Sequence, residues 1–304
     1  MVSIARRANS DLSLSGIIPP LVTPFDENGE IQFDLFRKEV SKMLTYGVGG
    51  ISVGGSTGEG ETLLDGELTE LCRIAKEEAG NGFPIVGGII ADSTFQVIRK
   101  GKALKSAGVD ALMITPVHYL FNSGDKGNYV FYKEIHEAID LPIIVYNVVK
   151  WNVPTTELLI NLLDSGVIFG VKQSGGDIHS LGDLLSKTRG RFPIYTAIDD
   201  MMLASFIMGA VGSICAINTL MPKTSIMLFN AVKEGDLSSA LKLHETIFSF
   251  TSKVLKPDMP ARIKFIMNKN GWKVGNARSP IITPVNDVLS ELNALSTELS
   301  RVEG

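Results

Sequence analysis

Eight short apolar runs, rich in β-branched residues, alternate with longer stretches of helical period along most of this chain. The runs are Gly16–Thr23, Gly50–Gly54, Pro84–Ile89, Asp110–Thr115, Pro142–Tyr146, Val167–Lys172, Pro193–Ala197 and Gly212–Ala216. Each is continuously apolar rather than alternating, the pattern of a strand buried on both faces. In Asp65–Gly80, the residues Leu68, Leu71, Cys72, Ala75 and Ala79 fall on one helical face, with Asp65 placed to cap the start and Gly80 the end. Ile178, Leu181, Leu184 and Leu185 form one face of Asp177–Thr188. Phe33–Tyr46, Ser93–Ala107, Lys126–Ile139, Pro154–Asp164 and Asp200–Met208 complete the intervening set, Pro154 suiting a first helical turn. Eight strands, each followed by a helix, predict an α/β fold of the parallel (β/α)8 TIM-barrel type.

The rival is a doubly wound open sheet, and Gly54-Gly55-Ser56-Thr57-Gly58-Glu59-Gly60 superficially resembles a phosphate loop. It has neither the lysine of a Walker motif nor the acidic residue of a dinucleotide fold. After Met221 the alternation stops. Thr224–Lys233 closes the barrel as its eighth helix, and Leu237–Val254, Pro260–Asn270 and Pro284–Leu299 follow as further helices. The expected division is an N-terminal leader (1–15), a barrel catalytic domain (16–234) and a C-terminal helical extension (235–304). Arg6 and Arg7 precede an apolar stretch, but Ser13, Ser15, Gly16, Pro19 and Pro20 interrupt it, so a secretory signal is not expected.

Hydrophobic residues are 44% and charged residues 20% of the 304, which excludes a disordered chain. The net charge of −4 disfavours nucleic acid or an anionic membrane surface as partner. No apolar run approaches the ~20 residues of a membrane helix. Cys72 and Cys215 are too few for a disulfide framework and suit a reducing cytoplasm.

Barrel chemistry sits at the C-terminal ends of the strands. There the sequence places Ser56 and Thr57 after the second run, Thr115, His118 and Tyr119 after the fourth, and Tyr146 and Asn147 at the fifth. Lys172 ends the sixth, and Asp199 and Asp200 follow the seventh. Lys172 either emerges to solvent, as most lysines do, or points into the barrel. In the second case lost hydration favours the neutral amine, which can attack a ketone. Tyr146 is either an ordinary buried tyrosine or a proton shuttle. Ser56 and Thr57 either cap a helix or hold a carboxylate. The four histidines, His118, His136, His179 and His244, form no ligand-spaced pair, which argues against a zinc-dependent aldolase.

Gly54-Gly55-Ser56-Thr57-Gly58-Glu59, then Val145-Tyr146-Asn147-Val148, then Gly170-Val171-Lys172-Gln173-Ser174 together resemble the dihydrodipicolinate synthase/N-acetylneuraminate lyase family. Pro20-Leu21-Val22-Thr23-Pro24-Phe25, Gly209-Ala210-Val211-Gly212-Ser213-Ile214 and Arg278-Ser279-Pro280 add to the likeness. The resemblance implies a (β/α)8 barrel with C-terminal helices, commonly a homotetramer. It implies a class I lyase that joins or splits a 2-oxo acid such as pyruvate and an aldehyde through a lysine Schiff base, with no other cofactor. By motif, Lys172 is the Schiff-base lysine, Tyr146 the proton-relay tyrosine, and Ser56 the hydroxyl linking that relay. Thr57 holds the pyruvyl carboxylate, and Gly55, Ile214, Trp151, His118 and Tyr119 complete the substrate surroundings.

Two departures bear on the substrate. Synthases using aspartate semialdehyde carry an arginine where this chain has Trp151, with Lys150 adjacent but offset. The second of their paired tyrosines after strand 4 falls on His118 or, with a one-residue slip, on Tyr119. A 2-oxo-3-deoxy sugar acid aldolase or dehydratase is therefore the alternative enzyme reading, and a non-catalytic ligand-binding barrel the alternative from another class. The places lining the lysine-effector site of inhibited synthases fall on Asp65, Leu68, Gln96 and Val117.

Overall fold

The computed structural model describes residues 12–174, 178–285 and 287–304. Its strands are β1 (Gly16–Ile17), β2 (Ile51–Val53), β3 (Ile85–Ile89), β4 (Ala111–Ile114), β5 (Ile143–Asn147), β6 (Gly170–Gln173), β7 (Ile194–Thr196) and β8 (Gly212–Ser213). All fall within or against the eight apolar runs. Between and after them come α1 (Phe33–Leu44), α2 (Asp65–Ala79), α3 (Thr94–Ser106), α4 (Gly124–Ile139), α5 (Thr156–Asp164), α6 (Ile178–Thr188) and α7 (Met202–Ile207). A short α8 (Ile217–Leu220), α9 (Pro222–Glu234), α10 (Leu237–Val254), α11 (Met259–Lys269) and α12 (Asp287–Val302) complete the chain.

The strands pair in parallel in the order β1-β8-β7-β6-β5-β4-β3-β2. The ring closes between β1 and β2. Gly49 N–H donates to Ile17 O (2.8 Å), Ser52 N–H to Pro19 O (3.0 Å) and Leu21 N–H to Ser52 O (2.9 Å). Pro19 and Pro20 have no amide hydrogen to donate, so the regular ladder stops at Ile17 and a single bridge, Pro20 to Ser52, continues it.

Strand parity sorts the side chains into two dry layers. Ile18, Val86, Ala111, Met113, Ile144, Phe169, Tyr195 and Ile214 fill the barrel interior. Leu112, Ile114, Ile143, Val145 and Val171 face outward into the helical layer. Within the expected leader, residues 1–11 lie outside the described residues. Leu14 is buried in the interior cluster, and Tyr195 donates its hydroxyl to Leu14 O at 2.9 Å, so the chain is folded in before β1 begins.

Three local expectations change. Asp65 does not cap α2; it is the first helical residue, and its carboxylate pairs with Arg99 and Lys100 of α3. Pro154 lies outside α5, whose cap is Thr155, with Oγ1 accepting from Leu158 N–H at 3.2 Å. The stretch expected as one helix from Asp200 splits into a 3-10 turn, Asp199–Met201, and the shorter α7. The expected start of the sixth helix, Asp177, lies outside the described residues. Beyond α9, α10 packs on α7, α9 and the Asp199–Met201 turn. Among the described residues no helix is long and apolar enough to cross a membrane.

Candidate active site

β5 and β6 are in register, with Tyr146 opposite Lys172. Ile144 faces the barrel interior, so Tyr146, two residues on, faces inward as well. Both side chains are buried, Tyr146 at 5% and Lys172 at 4% exposure. The Lys172 Nζ lies 3.7 Å from the centroid of the Tyr146 ring, above the apolar layers of the barrel. Of the two positions open to Lys172, the fold thus selects the interior. Beside this pair, Asn147 Nδ2 donates to Gln173 Oε1 at 2.9 Å, tying the same two strands together on their other face.

The third member comes from the loop after β2. Gly54 there has φ +74°, and a Cβ on it would meet Leu68 Cδ1 at 2.3 Å, so any larger residue would be strained and would have to displace Leu68. The next residues form single 3-10 turns, Ser56–Gly58 and Gly60–Thr62, joined at Glu59. This shape carries Ser56 Oγ to 3.2 Å from the Tyr146 hydroxyl. Thr57 is buried beside it at 4% exposure. Among the described residues no acceptor meets the amide N–H of Ser56 or of Thr57. Adjacent free amides in a turn are a binding geometry for an anion. Ile214, just past β8, belongs to the interior cluster, and a Cβ on Gly55 would approach Met113 Cε at 3.2 Å, which places Gly55 against that interior too.

His118, Tyr119 and Trp151 form a separate network at the rim. Asp92 Oδ1 accepts from the backbone N–H of His118 (2.6 Å) and of Tyr119 (2.7 Å), and lies 3.1 Å from His118 Nδ1. Trp151 Nε1–H donates to His118 O at 3.0 Å, and Asn152 Nδ2 to Val117 O at 3.0 Å. Trp151 therefore staples the β4–α4 loop to the β5–α5 loop. Its single polar donor is occupied, and the residue stands 57% exposed.

Asp199 has a larger place than its mention at a strand end suggests. It is buried, and its Oδ1 accepts from Ile217 N–H at 2.7 Å. Burial pushes its carboxyl up to about 6, against the opposing pull of that hydrogen bond and of the Lys172 charge. An acid able to titrate near neutrality thus stands in the field of the lysine. The Asp199-Asp200 pair signalled an acidic strand end; which of the two turns inward is set by the 3-10 turn. Glu59 is the other residue whose place the sequence left unread. It is fully buried and paired with Lys264 of α11.

Its fold and its relatives together make the chain a carbon–carbon lyase of the (β/α)8 aldolase class. Within that class the chain belongs to the dihydrodipicolinate synthetase family, whose sequence profile matches residues 13–299. A 4-hydroxy-tetrahydrodipicolinate synthase of Bartonella henselae is 31% identical over 283 residues, 92% of this chain and 95% of that one. The crystal structure of a dihydrodipicolinate synthase from Bacillus anthracis superposes with TM-score 0.89 at 26% identity, covering 94% of this chain and 98% of that one. A sialic acid aldolase of Ruminococcus gnavus shares the fold at 19% identity and TM-score 0.89, covering 95% and 98%.

Proposed function

We propose that this protein joins or splits a 2-oxo acid, pyruvate being the simplest, and an aldehyde through an imine on Lys172. The observation that carries the reading is the cluster of buried Lys172 and Tyr146 with half-buried Ser56, the amine over the tyrosine ring and the tyrosine hydroxyl 3.2 Å from the serine. The neutral amine of Lys172 adds to the keto carbon, and loss of water leaves an iminium. That iminium accepts the electron pair when a proton leaves the neighbouring carbon, giving an enamine. The enamine carbon attacks the aldehyde, and hydrolysis returns the amine. Each step moves a proton, and the Tyr146 hydroxyl, coupled to Ser56, is the group beside the amine able to carry it. The free amides of Ser56 and Thr57 and the Thr57 hydroxyl hold the 2-oxo acid's carboxylate. No cofactor beyond the lysine is needed.

Trp151 favours an acceptor that differs from aspartate semialdehyde. A guanidinium would offer a carboxylate two charge-assisted bonds. Trp151 offers an apolar face, its N–H being committed to His118. An uncharged or hydroxylated aldehyde, as in a sugar-derived substrate, suits that surface better. The reading extends to a cytoplasmic homotetramer. Its support is the apolar run Tyr119, Leu120 and Phe121, exposed at 68, 71 and 74%, together with free Cys72 and Cys215.

Pyruvate followed by borohydride tests the reading. Reduction fixes an imine as a secondary amine, and peptide mapping is expected to locate it on Lys172. An adduct on another lysine, or none with any 2-oxo acid tried, would overturn the mechanism.

A further inference from the structure

We infer that Lys264, on α11 in the C-terminal extension, is a positioning residue for the loop that carries Ser56 and Thr57, acting through a buried ion pair with Glu59. The inference rests on the proposed imine chemistry of Lys172 and names a device that serves it.

The pair is fully enclosed, with Lys264 at 1% and Glu59 at 0% exposure. All three ammonium hydrogens of Lys264 have acceptors: Glu59 Oε1 at 2.6 Å, Thr23 O at 2.5 Å and Asn276 O at 2.9 Å. The other Glu59 oxygen, Oε2, accepts from Arg278 N–H at 2.7 Å. A buried ion pair is rarely the most stabilising filling for such a volume, because both ions lose their hydration. What it supplies that an apolar pair cannot is direction, since each hydrogen points at one acceptor.

That direction is applied where the loop most needs it. Glu59 sits in the left-handed region at φ 57°, uncommon for a residue with a Cβ, and it is the joint between the two 3-10 turns. Its amide donates to Ser56 O at 3.2 Å, so the joint is bonded directly to the residue that meets Tyr146. On the other side of the loop, Thr23 Oγ1–H donates to Gly58 O at 2.6 Å, and the carbonyl of that same Thr23 is held by Lys264. One ammonium thus sets both supports of the Ser56–Gly58 turn. Arg278 clamps the following stretch, donating to Thr62 O at 2.8 Å and pairing with Glu67. Glu39, fully buried, also feels the Lys264 charge.

The Ser56–Tyr146 separation of 3.2 Å is already at the long end for two hydroxyls, so a small displacement of the loop breaks it. Misplacement by about 1 Å can cost ~10²-fold in rate. If Lys264 is lost, the Glu59 carboxylate is left unpaired in a dry interior and the joint relaxes toward water.

The test is the rate of borohydride trapping as a function of pyruvate concentration, normalised to the folded fraction by near-ultraviolet circular dichroism. Lys264→Met is expected to trap ~10²-fold more slowly. It should also need a higher pyruvate concentration for half-maximal trapping, with the adduct still on Lys172. Glu59→Gln keeps the volume, removes the charge and is the milder variant should Lys264→Met not fold; it is expected to slow trapping at least ~10-fold. A purely structural role would lower the melting temperature and leave trapping per folded molecule unchanged, so a folded variant within twofold of the wild type in rate and pyruvate dependence overturns the inference. Wild-type protein that forms no adduct would overturn the imine reading and this role together. Wild-type trapping with both variants unaffected removes the positioning role alone.

Discussion

Replacing Tyr146 by phenylalanine removes one oxygen and keeps the ring. The contact of Lys172 Nζ with the ring face, 3.7 Å from its centroid, survives the change. What is lost is the 3.2 Å hydrogen bond to Ser56 and the hydroxyl that is proposed above to carry protons. A neutral, partly buried hydrogen bond contributes about 1 kcal/mol to stability. In a chain of this length that lowers the melting temperature by roughly 2 °C. Loss of an acid–base group costs ~10²–10⁴-fold in turnover, or about 3–5 kcal/mol of transition-state stabilisation. The catalytic loss should therefore exceed the stability loss several-fold. Initial rates with pyruvate and an accepted aldehyde, read beside a thermal melt, separate the two. Ser56→Ala should act on the same step, so the double variant should lose far less than the product of the two single losses. A Tyr146→Phe protein that melts more than ~10 °C earlier, yet turns over normally in its folded fraction, would show the hydroxyl to be structural. Unchanged kcat at unchanged melting temperature would remove Tyr146 from the chemistry altogether.

Aspartate semialdehyde is expected to be a poor acceptor and Trp151→Arg to improve its kcat/KM by ~10²-fold, the scale of a recovered charge-assisted contact; native values above ~10⁴ M⁻¹s⁻¹ would contradict this. Lysine at millimolar concentration should not inhibit, because Leu68 is core, Asp65 is engaged by Arg99 and Lys100, and Gln96 Oε1 accepts from Asp92 N–H; saturable lysine binding by calorimetry that suppresses activity would refute it. Glu39 is fully buried with Oε1 on Val22 N–H, and burial pushes its carboxyl up to about 8. A raised carboxyl favours the folded state while neutral, so its contribution is complete below about pH 4.5 and declines by about 1.4 kcal/mol per pH unit until about pH 8. Glu39→Gln should flatten that decline in denaturant melts between pH 5 and 8, and an unchanged slope would show that another group sets it.

The order of elements was legible because periodicity is local. A continuous apolar run followed by a helical stripe declares itself within a few residues, and eight repeats leave few architectures open. Strand parity was not legible. In Pro142–Tyr146 every side chain is apolar or aromatic, since the barrel interior and the helix-facing layer are equally dry. Register alone sets Tyr146 beside Lys172. Among the candidate site residues, Lys172, Tyr146, Ser56 and Thr57 could be proposed from their motifs. That Trp151 gives its N–H to a backbone carbonyl could not, because the acceptor lies on another loop. Glu59 and Lys264 stand 205 residues apart, and neither is distinguishable from a surface charge until the chain closes around them. Hydrophobic pattern acts between sequence neighbours and is written along the chain, whereas the pairing of two buried ions depends on the path that brings them together, and only the folded structure supplies it.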